Sequence, residues 1–169
     1  FYFYNKNRND AKLIGIYRKT SYPSGPKTDQ IVLTWANDPK TSQTIQWRTD
    51  KTVNKSQLQW IKKNDFNRFQ PGKPKIINAV TVEMLNTNYV NDPKIHRHTV
   101  NLTGLEPNTS YLYSVGLKSA NSWSELSEFQ TAPNKTEPFS FVYMGDAQNG
   151  LDGWRSMITG AFRKRPNAA

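Results

Sequence analysis

The residues of this chain best suited to chemistry are Asp146 and its neighbours, in the stretch Phe139 to Gly150 that reads FSFVYMGDAQNG. An apolar run delivers a Gly-Asp pair into a turn, and open α/β sheets gather their ligands at the carboxyl ends of buried strands. A carboxylate held there by the tight turn of Gly145 offers a hard oxygen to Zn, Mn, Fe or Mg. The same aspartate can instead cap its turn through local backbone amides, and the pattern alone leaves both readings open. A second candidate is the pair His96 and His98, at i and i+2 on one strand face and roughly 7 Å apart by strand rise. They would ligate zinc if a carboxylate joined them. Val100 and Leu102 continue the same face, which favours packed, hydrogen-bonded histidines. A third is the loop FNRFQPGKPK from Phe66 to Lys75, whose two phenylalanines beside Arg68 and Lys73 could stack on bases or sugars. Aromatic side chains more often serve as packing, so the favoured reading is a loop pinned by Phe anchors.

The elements that must position these residues change character along the chain. Up to Thr131 the pattern is strand, turn, strand. Ile31 to Trp35 and Thr44 to Arg48 are rich in β-branched and aromatic residues and are separated by Asn37-Asp38-Pro39, a strong turn signal. Similar runs follow at Leu58 to Lys62, Ile76 to Met84, His96 to Leu102, Ser110 to Leu117 and Trp123 to Thr131. With Leu13 to Tyr17 in front, the pattern predicts an all-β sandwich of seven or eight strands. Leu105 to Tyr111, LEPNTSY, places Leu105, Pro107 and Thr109 at alternate positions before a strand-opening tyrosine. That is the order of a tyrosine corner, so the Tyr111 hydroxyl is expected to return to the backbone near Leu105 or Glu106. These residues are structural in role. The module resembles a fibronectin type III or related immunoglobulin-like domain.

Residues 133–138 read as a short linker with prolines at both ends. Beyond it Phe141 to Met144 is continuously apolar, as in a strand covered on both faces. Trp154, Met157, Ile158, Ala161 and Phe162 then fall at helical spacing, with Asp152 as the expected N-cap and Arg163 to Pro166 as the stop. The predicted organisation is a sandwich over residues 1–132, a linker over 133–138, and the first strand and helix of an incomplete α/β domain over 139–169.

Composition bounds the partners. The absence of cysteine excludes a disulfide framework and a thiolate zinc site. No run of 18 apolar residues suggests a membrane span. The formal charge of +10 would attract anions, yet the basic residues are dispersed. Lys62-Lys63, Lys73 to Lys75 and Arg163 to Arg165 are each shorter than a dedicated nucleic-acid patch, so a specific nucleic-acid partner is not expected.

The corner LEPNTSYLYSVG, the exit WSELSEFQTAP and the entry FSFVYMGDAQ, taken in that order, resemble the purple acid phosphatases and their bacterial metallophosphoesterase relatives. The resemblance runs from about Pro23 to the end of the sequence. It implies an N-terminal fibronectin-like domain joined by a short linker to a dinuclear-metal phosphoesterase domain, with Asp146 as ligand of one metal. Gln148 stands where the family motif has Gly or His, and whether it coordinates, orients a water or does neither stays open. The resemblance further implies two divalent or mixed-valence ions (Fe, Zn, Mn or Mg) in the full-length parent, with none firmly bound to this fragment. It also implies a phosphate-ester substrate, hydrolysis by metal-activated water, and export to a bacterial periplasm or cell surface. The remaining ligand motifs are absent here, so the fragment alone is expected to be inactive. The alternative is a noncatalytic accessory or adhesion sandwich that binds a protein or a glycan.

Overall fold

Strand-forming runs in this chain alternate apolar and polar residues, and such runs are stable only when their apolar faces meet. The computed structural model describes residues 2–3, 12–13, 22–67, 72–139, 141, 143 and 151–164, divided into one unit from Phe1 to Asn134 and another from Lys135 to Ala169. In the first unit a small ladder pairs β1 (Tyr2–Phe3) with β2 (Lys12–Leu13). The other strands among the described residues form two four-stranded antiparallel sheets. One contains β3 (Asp29–Thr34), β4 (Gln43–Asp50), β8 (Lys94–Leu102) and β7 (Val80–Leu85), in that order. The other contains β10 (Ser127–Gln130), β9 (Ser110–Gly116), β5 (Gln57–Lys62) and β6 (Lys75–Asn78). The protein is therefore mainly β, an antiparallel sandwich.

The core lies between the sheets. Ile45, Trp47, Val100 and Leu102 come from one sheet, Leu58, Tyr111, Tyr113, Val115 and Phe129 from the other, and Leu105 closes one end. The Trp47 indole is fully buried, and its N–H donates to Ser56 Oγ at 3.0 Å, which donates in turn to the Gly116 carbonyl at 3.0 Å. Gly116 is required where it stands. Its φ is +157°, and a Cβ there would meet the Ser122 carbonyl oxygen at 2.2 Å.

Three elements depart from the sequence pattern. The run from Ile76 to Met84 is not one strand: β6 pairs with β5 and β7 with β8, so the chain changes sheet at Ala79, whose N–H donates to the Ser56 carbonyl at 2.9 Å. Sandwich corners are commonly made by such crossing strands, and hydropathy alone does not register the crossing. The last strand starts at Ser127, not Trp123. Ser124 Oγ accepts the Val115 N–H at 3.1 Å, a side chain taking the place of a ladder carbonyl. Finally, β3 carries a bulge between Asp29 and Val32, with Gln30 at φ +47°.

In the second unit a helix, α1, spans Leu151–Lys164. It begins one residue before the expected cap, which places Asp152 in the first turn, where its carboxylate favours the positive end of the helix dipole. Trp154 and Ala161 are half-buried, while Met157 and Ile158 are exposed. Phe139, Phe141 and Tyr143 are exposed and unpaired, and the Phe139 and Phe141 rings stack at 6.1 Å. The expected buried strand is thus absent at Phe141 and Tyr143. A strand needs neighbours to satisfy its backbone, and no partner strand is described in this unit.

Candidate functional site

Gly145, Asp146 and Gln148 lie outside the described residues. Among the described residues no group of three or more His, Cys, Asp or Glu side chains could hold a metal ion.

The corner residues Leu105, Pro107 and Tyr111 are brought together at one end of the core. Tyr111 is buried, and its hydroxyl oxygen accepts the Glu106 N–H at 2.8 Å. Its ring stacks on Phe129 at 5.4 Å and meets Trp60 edge-on at 5.5 Å. Leu105 is buried and its N–H donates to the Thr41 carbonyl at 3.0 Å, while the Pro107 carbonyl accepts from Thr109 Oγ1 at 2.9 Å. Asn108 takes the left-handed turn position at φ +49°, and its N–H donates to the Ala132 carbonyl at 3.0 Å. Thr131 Oγ1 donates to the Glu106 carbonyl at 2.6 Å and accepts the Thr109 N–H at 2.9 Å. The corner therefore fixes the residues through which the chain leaves the sandwich. That role is mechanical.

His96 and His98 project inward from β8. His98 is fully buried and stacked on Trp47 with ring centroids 5.7 Å apart. Both of its nitrogens meet hydroxyls: Nε2 lies 2.8 Å from Thr49 Oγ1, and Nδ1 lies 2.8 Å from Thr81 Oγ1. A neutral imidazole satisfies this arrangement with one nitrogen donating and the other accepting. Burial, with a smaller contribution from His96, lowers the His98 pKa from 6.5 to about 4. His96 Nδ1 is 2.9 Å from the Val53 carbonyl, and its Nε2 is 3.9 Å from Glu83, its cross-strand neighbour. A carboxylate does approach the pair, but only at His96. The nitrogens of His98 are taken by threonines, so the pair is packing and not a metal centre.

The loop after β5 resolves in the same direction at Phe66. This ring is half-buried and lines an apolar recess with Ile61, Pro74, Leu112 and Leu126. Phe66 is an anchor; Arg68 and Phe69 lie outside the described residues. Beside the loop is a cleft of about 430 Å³, where Lys75 Nζ lies 4.9 Å above the Trp60 ring and Lys62 is paired with Glu106. Cations and carboxylates are mixed there, so the cleft is no concentrated anion site.

Sequence reasoning missed the buried charges on the outer face of the β3-β4-β8-β7 sheet. Arg48 grips Asp29 through two bonds, Nε to Oδ1 at 2.9 Å and Nη2 to Oδ2 at 2.7 Å. Those bonds hold the guanidinium above its ordinary pKa. Asp92 stands 3.8 Å from Arg48 and accepts the Ser24 N–H at 2.8 Å and its hydroxyl at 2.6 Å. Arg97, next to Arg48 on β8, donates to Gln30 Oε1 at 2.7 Å, and burial lowers its pKa. The detectable signal was Arg48 in the outward phase of a strand whose inward phase is Ile45, Trp47 and Thr49. The cluster ties the segment before β3 to the β7-β8 loop, and its charges answer one another within the fold.

Comparisons with known proteins gave one family match and several likenesses among solved structures. A family model for the purple acid phosphatase N-terminal domain matches residues 28–131, more than half of the chain. Curated proteins gave no match. Among solved structures, the chain is similar to the fibronectin type III domain of human contactin 1, at 15% identity over 76% of this chain and 94% of that one, with a TM-score of 0.43. It is also similar to a fibronectin type III domain of human collagen XX, at 17% identity over 69% of this chain and 100% of that one, with a TM-score of 0.37. A computationally redesigned β-sandwich protein is similar at 18% identity, over 64% of this chain and 97% of that one, with a TM-score of 0.41. The family match spans β3 to β10 and contains the corner at Leu105, Pro107 and Tyr111; the chain belongs to the family of purple acid phosphatase N-terminal domains.

Proposed function

We propose that this chain is the N-terminal portion of a metal-dependent, acid-phosphatase-like phosphoesterase that hydrolyses phosphate esters. The observation that carries the reading is the family match over residues 28–131, followed in the sequence by the apolar run that leads to Gly145-Asp146. Two metal ions, when bound in the full-length parent, would supply Lewis acidity and activate a water for attack on phosphorus. Asp146 would offer one carboxylate to that centre from a tight turn. Gln148 stands where the family motif has Gly or His, and its role beside that centre, as ligand, as a group that orients a water or as neither, is left to the Gln148→Ala variant. The other ligands would belong to the parent's catalytic domain.

In this reading the sandwich folds on its own core and precedes the catalytic domain in the chain. The charge of +10 would modestly concentrate an anionic substrate. Export to a bacterial periplasm or cell surface is part of the proposal.

The test compares the purified chain with its full-length parent on a chromogenic phosphomonoester, with Mg, Mn, Zn and Fe supplied in turn. The parent is expected to turn over and to stop when chelated, and the chain alone is expected to be inactive. Turnover by the chain alone would overturn the account of the site. An inactive parent with every metal would favour a noncatalytic accessory module.

A further inference from the structure

Among the described residues, each four-stranded sheet of the sandwich ends in strands with one unpaired edge, and such edges are templates for pairing with another chain. Three of the four are blunted. β3 carries the bulge at Gln30. β6 is four residues long and opens on Lys75. β10 is also four residues long, with Glu128 and Gln130 exposed. β7 has none of these protections. It runs for six residues, Val80 to Leu85, and stays in register with β8 at every position. It contains no Lys, Arg, Pro or Gly, and its single charge, Glu83, is paired with Lys94 of its own sheet at 3.2 Å. Val80 is 68% exposed, Val82 55%, Met84 49% and Leu85 61%.

We propose that β7 is the interface of a two-fold dimer of this chain, formed by antiparallel pairing with β7 of a second copy. The strand is complementary to itself. A register centred on Val82 sets Val80 opposite Met84, Val82 opposite its equivalent, Thr81 opposite Glu83 and Ala79 opposite Leu85. Residues directly opposite in an antiparallel ladder project to the same face, so Val80, Val82 and Met84 of both copies form one apolar stripe. A register centred on Glu83 would place two carboxylates face to face, which is destabilising. One centred on Thr81 would set Ala79 against Glu83 and leave Met84 and Leu85 outside the overlap. The Val82-centred pairing joins the β3-β4-β8-β7 sheets of the two copies into one continuous sheet, an isologous contact that closes on itself. Pairing with β3 would instead meet its bulge. The inference does not depend on the phosphoesterase reading.

Sedimentation velocity of the full chain over a wide concentration range tests it. Wild type is expected to pass from monomer to dimer as concentration rises. Val82→Lys, which opposes two like charges on the two-fold axis, is expected to remain monomeric, while Ile77→Lys on the β6 edge dimerises as wild type does. Both positions are exposed, so folding is preserved and is checked by circular dichroism. Because the chain has no cysteine, Val82→Cys should give a disulfide-linked dimer under mild oxidation and Val32→Cys should not. A wild type that stays monomeric throughout would overturn the proposal, as would a dimer that persists in Val82→Lys.

Discussion

The two units of this chain solve the burial problem differently. The sandwich covers its own apolar residues: Ile45, Trp47, Leu58 and Val115 are all fully buried. In the second unit Met157 and Ile158 on α1, with Phe139, Phe141 and Tyr143 before it, face solvent. A sandwich has two sheets to close on each other, whereas a single amphipathic helix has no second layer. The contrast teaches that the buried core among the described residues resides in the sandwich, whereas the residue proposed for chemistry belongs to the unit whose described apolar side chains are largely exposed.

The sharpest way to break that contrast is to remove burial from each unit in turn. Trp47→Ala should destabilise the chain by about 3–5 kcal/mol, since it empties the centre of a packed core. Met157→Ala on α1 should shift the main urea transition by no more than about 0.5 kcal/mol. Equal shifts from the two variants would show that the units share one core.

A smaller effect follows from pH. His98 has its pKa lowered to about 4 by burial, and the groups facing it are His96, Thr49, Thr81 and, beyond His96, Glu83. The unfolded chain takes up a proton near 6.5 that the folded chain refuses until about 4. Stability is therefore complete above that window, falls as pH drops through it, and levels off below it, with a total loss of up to about 3 kcal/mol. Urea midpoints between pH 7 and pH 4 measure the slope, and His98→Gln should flatten it. An unchanged slope in that variant would assign the acid sensitivity elsewhere. The helix signal of the second unit should show no such titration.

Smaller again is Tyr111→Phe, which keeps the ring against Phe129 and removes only the acceptor of the Glu106 N–H. The expected cost is about 1 kcal/mol. An unchanged urea midpoint would mean that the corner bond contributes nothing to the sandwich.

Much of the sandwich was legible because its strands are amphipathic in a plain way: Ile45 and Trp47 alternate with Thr44 and Gln46, and the corner residues Leu105, Pro107 and Tyr111 keep a fixed order. The rest depended on long-range geometry. The change of sheet at Ala79 is set by two partner strands, β5 and β8, and the local hydropathy is the same on either side of it. Arg48 finds Asp29 across a strand pair, 19 residues away in sequence. The last strand starts late, after Ser124, whose hydroxyl takes the Val115 N–H in place of a ladder carbonyl. At the candidate site the sequence offered residue types, Gly145-Asp146 and Gln148, and a family expectation. Ligand convergence is a property of several distant segments, which a short run around one aspartate cannot display.

The central claim is that Asp146 is a metal ligand of the parent enzyme while the sandwich is a separate, self-supporting domain. Metal content and kcat/KM of full-length Asp146→Asn test it most directly, with Gln148→Ala in parallel and the sandwich's urea transition as the control. The account predicts that Asp146→Asn loses bound metal and catalysis together, leaving the sandwich transition where it was. Wild-type metal content and activity in Asp146→Asn would contradict it, whatever Gln148→Ala shows.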